Sequence, residues 1–350
     1  MKIKDLLFEV DFVVFAGVNL KSLLRKKDRK HLSDIIRGVS RVKEKSRFSI
    51  CIDMFVKCLC SSASFNDYAY LRFYDMTIRE ARGYLNSCRF SKVQRYLRSP
   101  EVKKLLNDKA RFLDTFREFT KRDFLYITAT TTPNELTRFI EQHSEFIAKP
   151  NNLNAGRGIE LVDSRSFPNV ESLLACLWKK QTVLLEEVIE NHTDLKKFSE
   201  RSLNTMRIIA VRTEEGVKIL RAFLRFNITG GITDNISAGG YACPINTATG
   251  KLYDGMTNRK ELSNAFMPYH PKGFTFEGEQ IPFWDETVAL VTKAMIALKM
   301  AFFVAWDIAV TPDGPIVIEA NNSPGYTGFS SIPNYKEVKK AYRFAKKNMK

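Results

Sequence analysis

Two textures divide the chain. Over roughly residues 20–120, apolar residues recur at helical intervals. In "SPEVKKLLNDKARFLDTFREF", Val102, Leu105, Leu106, Phe112, Leu113 and Phe116 fall close to one helical face, and Ser99-Pro100-Glu101 reads as the start, with proline in the first turn. After about residue 122 the pattern changes to short β-rich runs alternating with helices. "DFLYITA", "EFIAKP", "GIELVD", "TVLLEEVI", "NTMRIIAVRT" and "VKILRAFLRFN" read as strands. "TTPNELTRFIEQH", entered through Thr132 and Pro133, reads as a helix, as do "VESLLACLWKK" and "ETVALVTKAMIALKM". "FFVAWDIAV" and "PIVIEAN" form a hairpin across Pro312-Asp313-Gly314, a strong turn sequence. This order predicts an α+β architecture with antiparallel sheets rather than a doubly wound parallel one. The closing "YKEVKKAYRFAKKNMK" reads as a short basic helix, suited to capping the fold or to lying on a membrane or partner surface.

Polar residues interrupt the apolar strands in two places. The first is the hairpin. A five-residue loop, Thr311–Pro315, sets Val310 against Ile316, and counting back sets Asp307 opposite Glu319. Asn321 lies two residues beyond Glu319, hence on the same side. Two opposed carboxylates repel. A hard cation relieves that cost, and Mg²⁺ takes oxygen ligands while sharing its shell with substrate phosphates. The plainer reading is an exposed hairpin with solvated acids. The second place is "FIAKPNNLNAGRGIELV", where Lys149 ends one apolar run and a polar loop with two glycines precedes the next. A phosphate cradle or an ordinary hairpin loop both fit that pattern.

Other chemistries find little support. The chain has no Gly-x-x-x-x-Gly-Lys-Ser/Thr loop, and "GRGIEL" lacks the third glycine of a dinucleotide fingerprint. It has no His-Arg-Asp kinase loop and no nucleophile elbow, and its four histidines are scattered. The six cysteines, Cys51, Cys58, Cys60, Cys88, Cys176 and Cys243, form no Cys-x-x-Cys pair, which predicts buried thiols in a reducing cytosol.

Length and charge then set the frame. The 350 residues allow two to three domains. No stretch reaches the roughly 18 uncharged apolar residues that span a bilayer. The apolar run near the N-terminus is broken by Asp5, Glu9 and Asp11 with no small-x-small site after it, so it does not read as a signal peptide. The net charge of +16 is uneven: residues 1–125 carry 28 Lys and Arg against 15 Asp and Glu, a net of +13. That third would suit an anionic membrane face, an acidic substrate or nucleic acid, or be plain solvated helix surface. The absence of an RNA-binding signature argues against nucleic acid.

Taken in order, "LNDKARFLDTF", "FIAKP…AGRGI", "LLEEVIENH", "SLNTMRIIAVR", "LRFNITGGITDNISAGG" and "AWDIAVTPDGPIVIEANNSPG" resemble the ATP-grasp superfamily. More narrowly, the chain resembles the sugar-transfer-associated ATP-grasp proteins found with polysaccharide biosynthesis genes. The resemblance implies two α+β subdomains with antiparallel sheets clasping ATP, preceded by a mainly helical N-terminal region. The expected units are a basic helical region at 1–105, a subdomain with the phosphate loop at 106–185, one with the magnesium site at 186–335, and a basic helix at 336–350.

It also implies roles. Lys109 and Lys149 hold the nucleotide phosphates, and Gly156, Arg157 and Gly158 belong to a loop closing over them. Glu186 accepts from the adenine amino group, while the backbone at Glu187 and Ile189 reads the ring edge. Asp194 is a candidate for the ribose hydroxyls, or simply a helix N-terminus capped near His192. Arg207 and Arg225 stabilise charge on a transferring phosphoryl group. Asn235, Gly239 and Gly240 lie on the substrate side or form a tight turn, and Asp307, Glu319 and Asn321 match the magnesium ligands.

The implied activity is an ATP- and Mg²⁺-dependent ligase. It activates a carboxylate as an acyl phosphate and joins it to an amine or thiol, in polysaccharide or cell-surface glycoconjugate assembly. Its partners would be small or saccharide-linked carboxylates and amines, with an anionic membrane surface or polysaccharide-assembly proteins beside them. The expected setting is the cytoplasm, with peripheral contact at the inner membrane face. Phosphate transfer to a hydroxyl, and a basic binding module for nucleic acid or membrane, are the alternatives.

Overall fold

The structure, a computed structural model, describes residues 16–17, 19–20, 23–97, 99–150, 158–236, 239–257, 267–322 and 335–348. Its N-terminal part is helical. Helix α1 (Lys26–Lys43) and helix α2 (Arg47–Ser61) pack side by side, burying Ile35 and Val39 against Ile50, Met54 and Cys58. Ser46 starts α2 by accepting from the Ser49 N–H, one of the orphan donors every helix start carries. Helix α3 (Ser87–Leu97) leads into the long helical stretch read from the sequence.

That stretch is not one helix. It breaks into α4 (Pro100–Asn107), α5 (Lys109–Thr115) and a turn of helix at Arg117–Thr120. The break is at Asp108, whose extended backbone ends α4 and whose side chain accepts from the Arg111 N–H to start α5. Apolar spacing alone did not register a polar cap in mid-pattern. Lys109 thus occupies the first position of a new helix.

Every strand pairing is antiparallel. Strands β1 (Phe124–Tyr126), β2 (Glu145–Pro150), β3 (Glu160–Asp163) and β4 (Thr182–Glu187) form one sheet in the order β1-β4-β2-β3. One face of it carries α6 (Pro133–Gln142) and α7 (Val170–Lys179), which bury Phe146, Ala148 and Leu185 with Leu136, Phe139 and Leu173. Helix α6 begins with Thr132 and Glu135 capping each other's backbone and Pro133 in the first turn. The other face carries Leu184 and Glu186, and Leu184 belongs to the core of the second sheet.

That second sheet contains β5 (Thr205–Thr213), β6 (Gly216–Phe226), β7 (Tyr241–Ile245), β8 (Phe303–Thr311) and β9 (Gly314–Asn321), in the order β7-β6-β5-β8-β9. Met206, Ile208, Leu224, Trp306 and Ile308 point to one face, where α4, α5 and α8 (Trp284–Ala297) cover them. The opposite face is covered at one end by α3 and by α9 (Tyr335–Asn348), over Ile209, Val211, Phe303 and Ala305. The C-terminal basic helix is therefore a cap: it buries Val338, Ala341 and Ala345 and pairs Lys340 with Glu215. The remainder of this face carries Arg207, Arg225 and Asp307 beside the buried Phe223.

The β8–β9 hairpin reaches the expected pairing by a different path. Val310 faces Pro315 rather than Ile316, and Thr311 faces Gly314, so the loop is two residues and not five. Ile308 faces Val317, yet Asp307 faces Glu319, because Ile318 is an extra residue bulged out of β9. Without the bulge, Glu319 would turn to the apolar face.

Arg122 holds that bulge. Its Nη1 and Nη2 donate to the carbonyls of Val317 and Ile318 at 2.8 and 2.9 Å. Its Nε donates to Glu186 Oε2 at 2.8 Å, and Lys149 Nζ donates to Glu186 Oε1 at 2.6 Å. One buried guanidinium thereby bonds β4 of the smaller sheet to β9 of the larger. Burial pushes the Glu186 carboxyl up, but Arg122 and Lys149 outweigh it and hold the group down at about 2.

Removing Arg122 strands a buried carboxylate and two carbonyls, so Arg122→Met should cost about 3–5 kcal/mol in denaturant unfolding, more than the conservative Arg122→Lys. A loss under about 1 kcal/mol would contradict this bridge. The depressed Glu186 carboxyl stabilises the fold above its unfolded value near 4.5, and that contribution is lost as pH falls toward about 2. It amounts to about 3 kcal/mol, and unfolding midpoints measured across this window should fall less steeply in Glu186→Gln than in the wild type.

Candidate functional site

The polar part of this face of the larger sheet is organised around the buried Asp307. Strand register places Arg207 directly beside Asp307, and Thr205 beside Arg225. Arg207 grips both Asp307 oxygens, through Nε to Oδ1 and through Nη2 to Oδ2 at 2.8 Å. Arg225 Nη2 lies 3.0 Å from Asp307 Oδ2. Burial raises the Asp307 carboxyl, but Arg207 and Arg225 outweigh that and hold it below the usual carboxylate range.

Arg225 is tied to a second carboxylate. Its Nε lies 3.6 Å from Asp234 Oδ2 and donates to Thr205 Oγ1 at 3.1 Å. Asp234 in turn accepts from the Thr205 N–H at 3.0 Å and from the Thr205 hydroxyl. Burial lifts the Asp234 carboxyl above its ordinary value despite Arg225. Asp234 anchors the segment with Asn235, Gly239 and Gly240, which closes into a turn through Gly240 N–H to Asn235 O at 3.0 Å. Gly239 sits at φ +98°, and a Cβ on Gly240 would lie 2.2 Å from the Asp234 carbonyl. The glycine pair is therefore required by the turn.

Glu319 and Asn321 share the face of Asp307, and Asn321 Nδ2 donates to Glu319 Oε1 at 3.2 Å. Glu319 is exposed, unlike Asp307. Asp307, Glu319 and Asn321 offer two carboxylates and an amide oxygen, a donor set suited to a hard divalent ion. The Glu319 side contributes the accessible oxygens, because Arg207 and Arg225 occupy both oxygens of Asp307.

Both lysines reach the same region. Lys149, one residue before the end of β2, points to the sheet face that carries Glu186. Lys109 is half-buried; burial and the Lys149 ammonium push its amine down, against the attraction of Glu319 and Glu186. Lys109 thus feels Lys149, Glu186 and Glu319 together. Gly158, at φ +72°, lies just before β3; Gly156 and Arg157 lie outside the described residues.

The segment after β4 is more mixed. Glu186 is not a free carboxylate, since Arg122 and Lys149 each hold one of its oxygens. The Glu187 N–H is donated to Asp123 O at 3.0 Å, and Ile189 follows beyond the strand. Asp194 is exposed in the first turn of a short 3₁₀ helix, Thr193–Phe198, where its N–H bonds His192 Nδ1 at 3.2 Å. His192 therefore caps that helix.

Sequence reasoning missed Arg122 and Asp234. Asp234 had a signal, one residue before Asn235; Arg122, in a Lys-Arg-Asp run, had none. A further group, Asp123, His143 and Glu187, brings potential ligand atoms within 4.8 Å of one another. Its contacts are already explained by His143 Nε2 to Asp123 Oδ2 at 3.1 Å and Asp123 N–H to Glu187 Oε2 at 3.0 Å.

A search of curated proteins finds no match. Among solved structures, the ATP-grasp ligase PsnB complexed with minimal precursor, Mg and ADP is 14% identical, covering 77% of this chain and 70% of that one at TM-score 0.43. A Chryseobacterium gregarium RiPP-associated ATP-grasp ligase with ADP and a leader and core peptide is 16% identical, covering 79% and 70% at TM-score 0.43. D-alanyl-alanine synthetase A from Vibrio cholerae is 12% identical, covering 72% and 65% at TM-score 0.41. The profile of the family described as sugar-transfer associated ATP-grasp matches residues 93–343, which is most of the chain and includes both sheets. The chain belongs to the sugar-transfer associated ATP-grasp family.

Proposed function

We propose that this protein is an ATP- and Mg²⁺-dependent ligase that activates a carboxylate as an acyl phosphate and joins it to an amine or thiol. The observation that carries this reading is Glu319, which interacts on one side with Lys109, itself close to Lys149, and on the other with Arg225, which shares Asp307 with Arg207. Phosphoryl transfer asks a protein mainly to position reactants and neutralise charge. A cluster of cations on one side and hard oxygen donors on the other meets that need.

In this reading Lys109 and Lys149 bind the phosphates, and the loop with Gly156, Arg157 and Gly158 covers them. The Ile189 N–H and the Glu187 carbonyl meet the adenine edge. Glu186 orients Lys149 and keeps further lone pairs with which to accept from the adenine amino group. Asp194 is exposed where a ribose could meet it. Asp307, Glu319 and Asn321 would hold Mg²⁺, which when bound neutralises charge on the phosphate oxygens. Asn235, Gly239 and Gly240 shape the substrate side, held there by Asp234.

The chemistry balances in two steps. A substrate carboxylate oxygen attacks the γ-phosphorus, and the bond to the β-phosphate oxygen breaks, releasing ADP. The amine or thiol then attacks the acyl carbon, and inorganic phosphate leaves with the bonding pair. Arg207 and Arg225 lie where they can stabilise charge on the transferring group. The family description supports substrates from polysaccharide or glycoconjugate assembly.

Six free cysteines support a reducing, cytoplasmic setting. No helix among the described residues is long and apolar enough to cross a membrane. Peripheral contact at the inner membrane face completes the proposed location.

Glu319→Gln should lower ATP turnover by about 100-fold or more with an unchanged unfolding midpoint, since Glu319 is exposed. Wild-type turnover in that variant would remove the metal assignment. Screening candidate acids and amines by mass should find phosphate released free and a product equal to acid plus amine minus water. Phosphate covalently retained on the product would instead establish a kinase.

A further inference from the structure

Helix α2 is apolar on two opposite sides, and among the described residues only one of them is packed. Ile50, Met54 and Cys58 are buried toward α1 and the following turns. On the other side Phe48, Ile52, Phe55 and Val56 are 76, 50, 51 and 39% exposed. At 100° per residue these four fall on one stripe, together with exposed Cys51 and half-exposed Leu59. No charged residue interrupts the stripe. A helix face meant for water carries charge. Scattered exposed apolar residues need no explanation, but a continuous stripe with two phenylalanines does.

The surroundings of the stripe are cationic. Residues 25–47 hold ten Lys and Arg against three Asp and Glu, a net of +7. Lys45 and Arg47 are exposed at the start of α2, immediately before Phe48, and Arg41 is exposed beside the exposed Val42 in the last turn of α1. Leu23 and Leu24 are exposed just ahead of Arg25, Lys26 and Lys27. Apolar groups and cations therefore alternate over the surface of α1 and α2.

This pairing narrows the occupant. A nucleic-acid duplex would meet the cations but leave the phenylalanines in water. An anionic bilayer surface meets both, with apolar side chains entering the level of the headgroups and Lys and Arg attracted to acidic lipid. We propose that the α1–α2 face docks peripherally on an anionic lipid surface. This is independent of the ligase reading, since none of these residues belongs to the phosphate site, and it names the surface for the membrane contact proposed above.

The test is sedimentation of the full chain with vesicles of phosphatidylcholine alone or with about one-third phosphatidylglycerol. Binding to the acidic vesicles should be at least about tenfold tighter, and should weaken as salt rises from about 0.1 to 0.5 M. The double variants Phe48→Ser/Phe55→Ser and Lys45→Glu/Arg47→Glu should each lose about tenfold or more in binding, with unchanged melting temperature and ATP turnover. Four outcomes would overturn the proposal. One is no preference for acidic vesicles. A second is a concentration-dependent dimer in size exclusion that Phe48→Ser/Phe55→Ser abolishes, which would make a second copy the occupant. A third is a large drop in melting temperature in that variant, which would mean that the chain covers the stripe itself. The fourth is tighter binding to duplex DNA than to acidic vesicles.

Discussion

A single buried guanidinium ties the two sheets together. Arg122 spends one donor on Glu186 in the smaller sheet and two on the carbonyls of the β9 bulge in the larger. A buried arginine is tolerable only when its donors find such partners. The consequences run outward from it. The bulge lets Glu319 share a face with Asp307. Glu186, kept ionised between Arg122 and Lys149, fixes the lysine that faces the gap. Sheet geometry, register and the direction of the lysine are therefore parts of one network.

The larger sheet prepares the opposite wall by the same means. Asp307 between Arg207 and Arg225, and Asp234 behind Arg225, place two arginines at a fixed position on rigid strands. Such preorganisation spares reorganisation when charge develops on a bound phosphate. The two arginines and two carboxylates nearly cancel, which keeps the buried group affordable without a ligand. Lys109 and Lys149, drawn together by Glu186 and Glu319 but repelling each other, are the cations with most to gain from a polyanion.

Much of this was legible in the chain. The near-continuous apolar runs of β5, β6, β8 and β9 stand out, and capping residues such as Thr132 and Ser99 mark helix starts locally. The facing of Asp307 and Glu319 was reached from a loop three residues too long, and an unforeseen bulge at Ile318 cancelled the error. A bulge held by a side chain nearly 200 positions away in sequence has no local signature. The same holds for the engagement of Glu186 by Arg122, 64 positions away in sequence. Asp108 was legible as a cap but was hidden inside a continuing apolar repeat. What local chemistry writes, a sequence displays; what one strand does to another depends on packing.

The claim on which the rest turns is that a nucleotide triphosphate lies between the two sheets, with its divalent ion on the β8–β9 carboxylates. The most direct measurement is a crystal structure of the chain with a non-hydrolysable ATP analogue and Mn²⁺, located by its anomalous signal. The account predicts manganese coordinated by Glu319 with Asp307 or Asn321, and phosphates between Lys109 and Lys149. Manganese at Asp123, His143 and Glu187 instead, or a nucleotide bound away from both lysines, would contradict it.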